Sequence, residues 1–269
     1  MKTGFVGVGS MGGMLVRALM RSGALDPKDV WVANRSPQRL EVLTAEFPGI
    51  RLTTNRELAG HCDLIFLCVK GSDVPTVLAQ MDSELYPGQL LVTTASVIQL
   101  RALEDRVPCR IAKLIPSVTQ EVGAGIALLM YGSRVTKDDR KFLEDLLGRI
   151  SRPVVITESQ ARPAISLASG APAFIAYLLQ SMAEEAVRSN PELSSEMALG
   201  MVQETATATL RLMDKTKMTP QDVVSRVAVP GGMTALSIEI LSRSVPQAWQ
   251  AIFRETAERE KKDRERLTL

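Results

Sequence analysis

Short hydrophobic runs alternate with longer segments of helical period over roughly the first 157 residues of the chain. The runs are rich in Val, Ile and Leu, and their length predicts strands at Thr3–Val6, Val30–Ala33, Leu64–Val69, Leu90–Thr93, Arg110–Ile115, Ile126–Met130 and Val154–Ile156. The intervening segments predict helices at Met11–Ser22, Pro37–Glu46, Val74–Met81, Ile98–Asp105 and Lys137–Ile150. Strands that alternate with helices are typical of β-α-β units, so the pattern predicts an α/β domain with a parallel sheet.

The pattern changes after Thr157, where strand-like runs stop and helical periodicity continues to the end. We therefore predict two domains, residues 1–157 and an all-α domain of residues 158–269. Apolar residues form stripes on two of its predicted helices: Phe174, Tyr177, Leu178 and Met182 on one, and Met197, Met201 and Val202 on the other. Such stripes must pack on something apolar, either a second chain or the domain's own core. The highly charged segment from Glu255 to Arg266 is expected to be a solvated helix end.

Composition narrows the class of protein. Lys and Arg total 32 against 30 Asp and Glu, which lacks the basic excess that nucleic-acid binding needs. The three cysteines have no metal-ligand spacing and fit a reducing compartment. We see no signal-peptide pattern and no apolar run of the roughly 18 residues that a spanning helix requires. The expectation is a soluble cytoplasmic protein without a nucleic-acid or membrane partner.

The strongest motif is Gly7-Val8-Gly9-Ser10-Met11-Gly12, between the first predicted strand and the first predicted helix. In this position a G-x-G-x-x-G sequence indicates a dinucleotide site: its glycines permit a tight turn, close approach to a pyrophosphate and close helix packing. The alternative is a glycine-rich turn that binds nothing. The motif makes the N-terminal domain a predicted Rossmann-type domain.

The end of the second predicted strand bears on cofactor choice. NAD enzymes usually place a carboxylate there, whereas this chain has Asn34, Arg35 and Ser36. Hydrogen-bonding side chains and a guanidinium suit a 2′-phosphate, so NADPH is favoured over NADH, although Arg35 could be an ordinary solvated residue. Lys70 follows Val69 at another strand end, where it could border the cofactor or face water.

With these motifs in view, the chain resembles the pyrroline-5-carboxylate reductase family, and within it the late-competence branch. The resemblance covers nearly the whole chain and extends from Gly7–Gly12 to Pro172-Ala173-Phe174 and Pro230-Gly231-Gly232. It implies hydride transfer from NAD(P)H to the C=N bond of pyrroline-5-carboxylate, and a homodimer formed by the C-terminal helices.

The resemblance also implies site residues. The nucleotide would be held by Gly7–Gly12, Asn34, Arg35, Ser36, Asn55, Val69 and Lys70. The substrate would be held by Gly231, Gly232, Met233, Thr234, Ser117 and Thr205. Thr234 is the implied catalytic-site residue, since its hydroxyl and the neighbouring backbone N–H groups would hold the substrate carboxylate.

The departures from the family pattern concern the substrate side. The family's Ser-Pro-Gly-Gly-Thr-Thr is Val229-Pro-Gly-Gly-Met233-Thr here, and Pro-Asn-Thr-Pro becomes Pro-Ser117-Val-Thr. Two functions therefore stay open: a reductase of pyrroline-5-carboxylate or a similar small imine acid, and a regulatory protein that binds NADP(H) without turnover. We find no hydrolase or metal-site constellation, and we assign no catalytic role to His61, expected in an exposed loop.

Overall fold

The computed structural model describes residues 1–266, and its first half is built on one eight-stranded sheet. The strand order is β3-β2-β1-β4-β5-β6-β7-β8, which is a doubly wound arrangement. The strands are β1 Thr3–Val6, β2 Val30–Ala33, β3 Arg51–Leu52, β4 Leu64–Leu67, β5 Leu90–Thr93, β6 Arg110–Ile115, β7 Ile126–Tyr131 and β8 Arg152–Val155. The predicted α/β class with a Rossmann-type sheet is confirmed.

The sheet is parallel except for one pair, which corrects the expectation of an all-parallel sheet. β7 runs antiparallel to β6. The connection between them contains only a short 3-10 turn, Val118–Val122, whereas a parallel connection needs a crossover of a dozen or more residues, usually a helix. The two-residue β3 was not predicted because it is too short to show a period.

Helices cover both faces of the sheet, and after β8 the described chain is helical. They are α1 Ser10–Arg21, α2 Pro37–Glu46, α3 Asn55–His61, α4 Val74–Met81, α5 Leu100–Arg106, α6 Lys137–Leu147, α7 Ala161–Ile165, α8 Ala171–Ser189, α9 Ser195–Thr216, α10 Pro220–Val227 and α11 Met233–Glu265. Alternate strand residues enter two separate buried clusters, with Phe5 in one and Val6 in the other. This alternation is how a sheet buries both of its faces. The expected loop at His61 is wrong, since that residue ends α3, but its side chain is exposed and packs beside Trp31.

The described chain divides into two compact units. One comprises Met1–Pro172 together with the residues from Ala257 onward, and the other is Ala173–Thr256. The first unit therefore extends beyond the predicted boundary at residue 157, because Ala161 and Ile165 of α7 are buried in a core cluster of the sheet. A π-helical turn, Ser166–Gly170, joins α7 to α8.

The charged end of the chain is not wholly solvated, which corrects the expectation for the segment after Glu255. Glu260 on α11 is buried, and one of its carboxylate oxygens accepts a hydrogen bond from Arg264 at 2.6 Å. The other lies 3.6 Å from Nε of Arg162. A buried carboxylate needs such cations, because burial without them is very costly. The end of α11 is thus part of the first unit.

A second buried ion pair lies at the sheet. Lys113 on β6 is almost fully buried, and its Nζ contacts Glu158 Oε1 at 2.7 Å and the carbonyl oxygen of Ser96 at 3.4 Å. Desolvation lowers the pKa of the Lys113 ammonium, and the Glu158 carboxylate partly opposes that shift. Glu158 also accepts a hydrogen bond from the backbone N–H of Leu100. This carboxylate therefore ties the segment before α7 to the sheet.

The second unit exposes many large apolar side chains. On the two predicted stripes, Tyr177 is 72% exposed, Met182 66% and Met201 56%. The stripe therefore does not form this unit's own buried core. Within the described residues, the continuous helical stretch Glu158–Ser189 contains a segment long and apolar enough to cross a membrane, which the expectation that no segment reaches that length did not foresee. Length and composition alone are weak evidence for a span, and an apolar face that packs on another protein surface meets the same criteria.

Candidate functional site

The glycine-rich loop begins where β1 ends and leads directly into α1. Gly7 has φ 87°, a conformation that glycine adopts readily, and a Cβ there would lie 2.8 Å from the carbonyl oxygen of Cys68. A Cβ on Gly12 would lie 2.0 Å from the carbonyl oxygen of Gly7. These two glycines therefore let β1, α1 and the end of β4 approach one another closely.

Gly9 differs from the other two glycines. A Cβ at Gly9 would meet only Nη1 of Arg39, at 3.1 Å, so no packing constraint of the fold requires a glycine here. Gly9 is also the N-cap residue of α1, where no side chain caps the helix and the first turn carries no acidic residue. Space next to uncapped N–H groups is what an approaching phosphate needs.

The amides at the start of α1 are free to bind a ligand. Gly13 is the first residue whose N–H is bonded to a backbone acceptor, the carbonyl oxygen of Gly9 at 2.9 Å. Within residues 1–266, the N–H groups of Ser10, Met11 and Gly12 have no such acceptor. Three converging donors and the positive end of the helix dipole favour an anion at this position.

Asn34 holds two loops together. Its Oδ1 accepts a hydrogen bond from the N–H of Val8 at 3.1 Å, and its Nδ2 donates to the carbonyl oxygen of Ser36 at 3.1 Å. The amide thus links the glycine-rich loop to the loop that follows β2. We expected Asn34 and Ser36 to offer hydrogen bonds to the cofactor; the structure uses the Asn34 side chain to position the loops, and Ser36 Oγ donates to Gln38.

An open cavity of about 440 Å³ adjoins the glycine-rich loop. It is lined by Val8, Gly9, Ser10, Gly13, Arg17, Gln38, Arg39, Val42 and Leu43. Arg39, in the first turn of α2, was not predicted as a site residue, whereas the predicted Arg35 is exposed and does not line this cavity. The sequence does contain a signal for Arg39, since this basic residue lies two positions after Pro37, where α2 begins.

The remaining predicted nucleotide contacts lie in two places. Val69 lies beside the glycine-rich loop, with its Cγ1 2.9 Å from the position a Cβ on Gly7 would take. Lys70 is exposed just beyond β4. Asn55 opens α3 and donates from Nδ2 to Gln80 Oε1 at 2.6 Å, so its side chain is already engaged. These contacts stay predictions.

The predicted substrate loop lies in the second unit, where Gly231 and Gly232 lead into α11. Gly231 has φ 77°, and the N–H of Gly232 donates to the carbonyl oxygen of Val229 at 3.0 Å. Within the described residues, the N–H groups of Met233 and Thr234 have no backbone acceptor. The loop therefore presents free donors at a helix N-terminus, beside an exposed Thr234 hydroxyl.

The other two predicted substrate residues have different surroundings. Ser117 is fully buried, and its Oγ accepts a hydrogen bond from Thr119 Oγ1 at 3.0 Å. Buried Ser117 presents no surface to a ligand in this structure, and its contact with the substrate stays a prediction. Thr205 lines an apolar cavity of about 300 Å³ between α8 and α9, together with Met182 and Met201.

The titratable groups around the glycine-rich loop do not form an acid–base pair. Burial raises the pKa of the Cys68 thiol to about 12, although a hydrogen bond with Thr94 opposes that shift. Cys68 therefore acts as an apolar packing residue behind the loop. No group of three potential metal ligands occurs in the part of the chain that the structure describes.

Comparison with known proteins matches two parts of the chain to two family models. Residues 2–96 match the family model described as NADP oxidoreductase, coenzyme F420-dependent, and residues 158–263 match pyrroline-5-carboxylate reductase dimerisation. ComE operon protein 4 of Bacillus subtilis is 30% identical over 95% of this chain and 94% of that protein. Pyrroline-5-carboxylate reductase 3 of the same organism is 29% identical over 94% and 93%.

A solved structure shows the same fold over almost the full length. The pyrroline carboxylate reductase of Plasmodium falciparum with NADP bound has a TM-score of 0.83 and 21% identity, and the match covers 99% of this chain and 97% of that one. The family match over residues 2–96 includes the glycine-rich loop, and the match over residues 158–263 includes the helical second unit. The chain belongs to the pyrroline-5-carboxylate reductase family.

Proposed function

We propose that this protein is an NADPH-dependent reductase that acts on the C=N bond of pyrroline-5-carboxylate or a similar small imine acid. The observation that carries the proposal is the uncapped start of α1 beside Gly9, where the movable end of Arg39 is the one neighbour, in a chain of this family. A bound pyrophosphate is suited to this place, because free N–H donors and the nearby Arg39 guanidinium both favour an anion. The relative with NADP bound supports the choice of nucleotide.

NADPH would supply the hydride, so the chain's own residues have the tasks of binding and orientation. Ser10, Met11 and Gly12 would hold the pyrophosphate through their N–H groups. Met233 and Thr234 would hold the substrate carboxylate through theirs, with the Thr234 hydroxyl as a further donor. A cyclic imine accepts a proton from solvent near neutral pH, so the site requires no dedicated acid.

We infer a homodimer through the C-terminal helices, in the cytoplasm. The match to the dimerisation family and the exposed apolar side chains on α8 and α9 support this arrangement. A second copy would cover the apolar surface that the chain leaves open, and Thr205 would then lie at or near the contact.

A second function is favoured by the altered substrate side. Met233 is 82% exposed and Val229 56%, so the substrate loop presents apolar side chains where the family pattern has Thr and Ser. Ser117, in the turn after β6, is buried. In that case the protein binds NADP(H) and acts as a regulator without turnover, and the similarity to ComE operon protein 4 is consistent with this alternative.

One assay separates the two functions. Purified protein is mixed with NADPH and pyrroline-5-carboxylate, and oxidation is followed at the nicotinamide absorbance band. We expect turnover, with Thr234→Ala strongly impaired and Thr234→Ser largely active. Thr216→Ala is the matched control, since its hydroxyl only bonds the carbonyl oxygen of Leu212 at the end of α9.

Calorimetric titration with NADPH completes the design. Tight binding without turnover on any of a set of small imine and keto acids would establish the regulator instead. Absence of binding to both NADPH and NADH would refute both functions, because each depends on the same glycine-rich loop.

A further inference from the structure

The cavity beside the glycine-rich loop contains one guanidinium without an anionic partner. Two arginines line this cavity, Arg17 from α1 and Arg39 from α2. Nε of Arg17 contacts Glu46 Oε2 at 2.6 Å. Burial would raise the pKa of the Glu46 carboxyl, but hydrogen bonds and charges from Arg17 and Arg21 outweigh it and lower that pKa. Arg17 is therefore already engaged in an ion pair with Glu46, which it shares with Arg21.

Arg39 has no such partner. Within residues 1–266 it forms no ion pair and no hydrogen bond to a side chain or carbonyl, and the first turn of α2 has no acidic residue. Its Nη1 lies 3.1 Å from the position a Cβ on Gly9 would occupy, so the guanidinium lies against the glycine-rich loop. A planar cation without an anionic partner, beside an open cavity, is suited to a phosphate ligand.

The position of Arg39 in the fold indicates which phosphate. In doubly wound folds, the group after the second strand contacts the 2′ position of the adenosine ribose, while the glycine-rich loop takes the pyrophosphate. Arg39 reaches the cavity from the helix after β2 and meets the loop at Gly9. Its guanidinium therefore adjoins the glycine-rich loop from the segment that follows the second strand, whereas Arg35 does not line the cavity.

We propose that Arg39 is the residue that recognises the 2′-phosphate and sets the preference for NADP(H) over NAD(H), with Arg35 in a lesser role. This inference rests on the proposed nucleotide binding and adds to it a specificity residue that the G-x-G-x-x-G motif does not reveal. Val42 and Leu43 form an apolar wall of the same cavity and cannot bind a phosphate. The charge of Arg39 therefore accounts for the preference for a 2′-phosphate.

The experiment measures the dissociation constants of NADPH and NADH for the full-length protein by calorimetry. Arg39→Gln is expected to weaken NADPH binding by roughly 10- to 100-fold, because a charge-assisted hydrogen bond to the 2′-phosphate is lost. The same change should alter NADH binding by less than about twofold. Arg39→Lys should fall between, because it keeps the charge and loses the planar fork. Arg35→Gln should have the smaller effect.

Arg101→Gln is the matched control, since it removes the same charge from an exposed arginine on α5 that does not line the cavity. It should change both affinities equally and by less than about twofold. Adenosine 2′,5′-bisphosphate and adenosine 5′-monophosphate isolate the 2′-phosphate: the wild type should prefer the bisphosphate, and Arg39→Gln should lose that preference.

The outcomes distinguish this inference from the function on which it rests. If the wild type binds NADPH but Arg39→Gln keeps the wild-type ratio of NADPH to NADH affinity, the assignment of Arg39 is overturned and the reductase remains. A loss of discrimination in Arg35→Gln alone overturns it too. If the wild type binds neither nucleotide, the proposed function fails first and this inference with it.

Discussion

Gly9→Ala and Gly12→Ala should separate ligand binding from folding. A Cβ at Gly12 would lie 2.0 Å from the carbonyl oxygen of Gly7, where ordinary contact begins at 3.4 Å, and backbone atoms cannot move away cheaply. Overpacking of this kind costs about 3 kcal/mol. For a chain of this size, that loss lowers the melting temperature by roughly 6 to 12 °C.

Gly9→Ala should behave in the opposite way. Its Cβ would meet only the flexible end of Arg39, and its φ of −67° is open to alanine, so we expect a stability change within about 1 kcal/mol. The new methyl group would occupy the space that the pyrophosphate needs, so NADPH affinity should fall by more than about tenfold, roughly 1.4 kcal/mol.

Thermal unfolding and NADPH titration of both variants test this reasoning. Far-ultraviolet circular dichroism follows unfolding in the absence of nucleotide, and calorimetry gives the affinity. If Gly9→Ala binds NADPH as tightly as the wild type, the pyrophosphate does not lie at Gly9. If Gly12→Ala melts with the wild type, the close approach of α1 to β1 is not what Gly12 provides.

Three further expectations follow from packing and charge. Glu158→Ala should cost roughly 2 kcal/mol in denaturant unfolding because it leaves Lys113 buried without its partner, whereas Lys113→Met should stay within about 1 kcal/mol; equal losses would contradict this asymmetry. Met201→Asp should yield a monomer in light scattering, and a dimeric mass would show that α9 is not in the interface. Burial raises the pKa of the Cys62 and Cys68 thiols to about 12 and that of the Cys109 thiol to about 11. The folded state then keeps protons that unfolded thiols release, so the free energy of unfolding should fall as pH rises from about 9 to 11. The fall should be less steep in a triple Cys→Ala variant. Equal slopes in the two proteins would show that the buried thiols do not cause it.

Local patterns predicted the features that depend on nearby residues. The fully buried central strands were found because burial of both faces gives continuous apolar runs, whereas the exposed two-residue β3 was missed. The glycine-rich loop was found because its spacing reflects local geometry. α3 was missed although Thr54 and Glu57 form a capping box, a signal that the sequence does contain. The capping box would have predicted a helix where we expected a loop at His61.

Features that depend on distant residues were not predictable in this way. That Arg39 rather than Arg35 lines the cavity depends on where α2 packs relative to α1. Burial of Glu260 depends on Arg162, nearly a hundred positions earlier, and no local pattern reports that pairing. Ser117 is buried because a neighbouring threonine and the turn after β6 enclose it, which spacing alone does not show.

The return of α11 to the first unit has a practical consequence for dissecting the protein. A fragment that stops near residue 157 or 172 would lack the helix end that carries Glu260, and Arg162 would lose its carboxylate partner. Neither half of the protein can then be obtained by one cut in the gene. Excising residues 173–256 and bridging the gap with a flexible linker would preserve the paired charges and give an independent nucleotide-binding module.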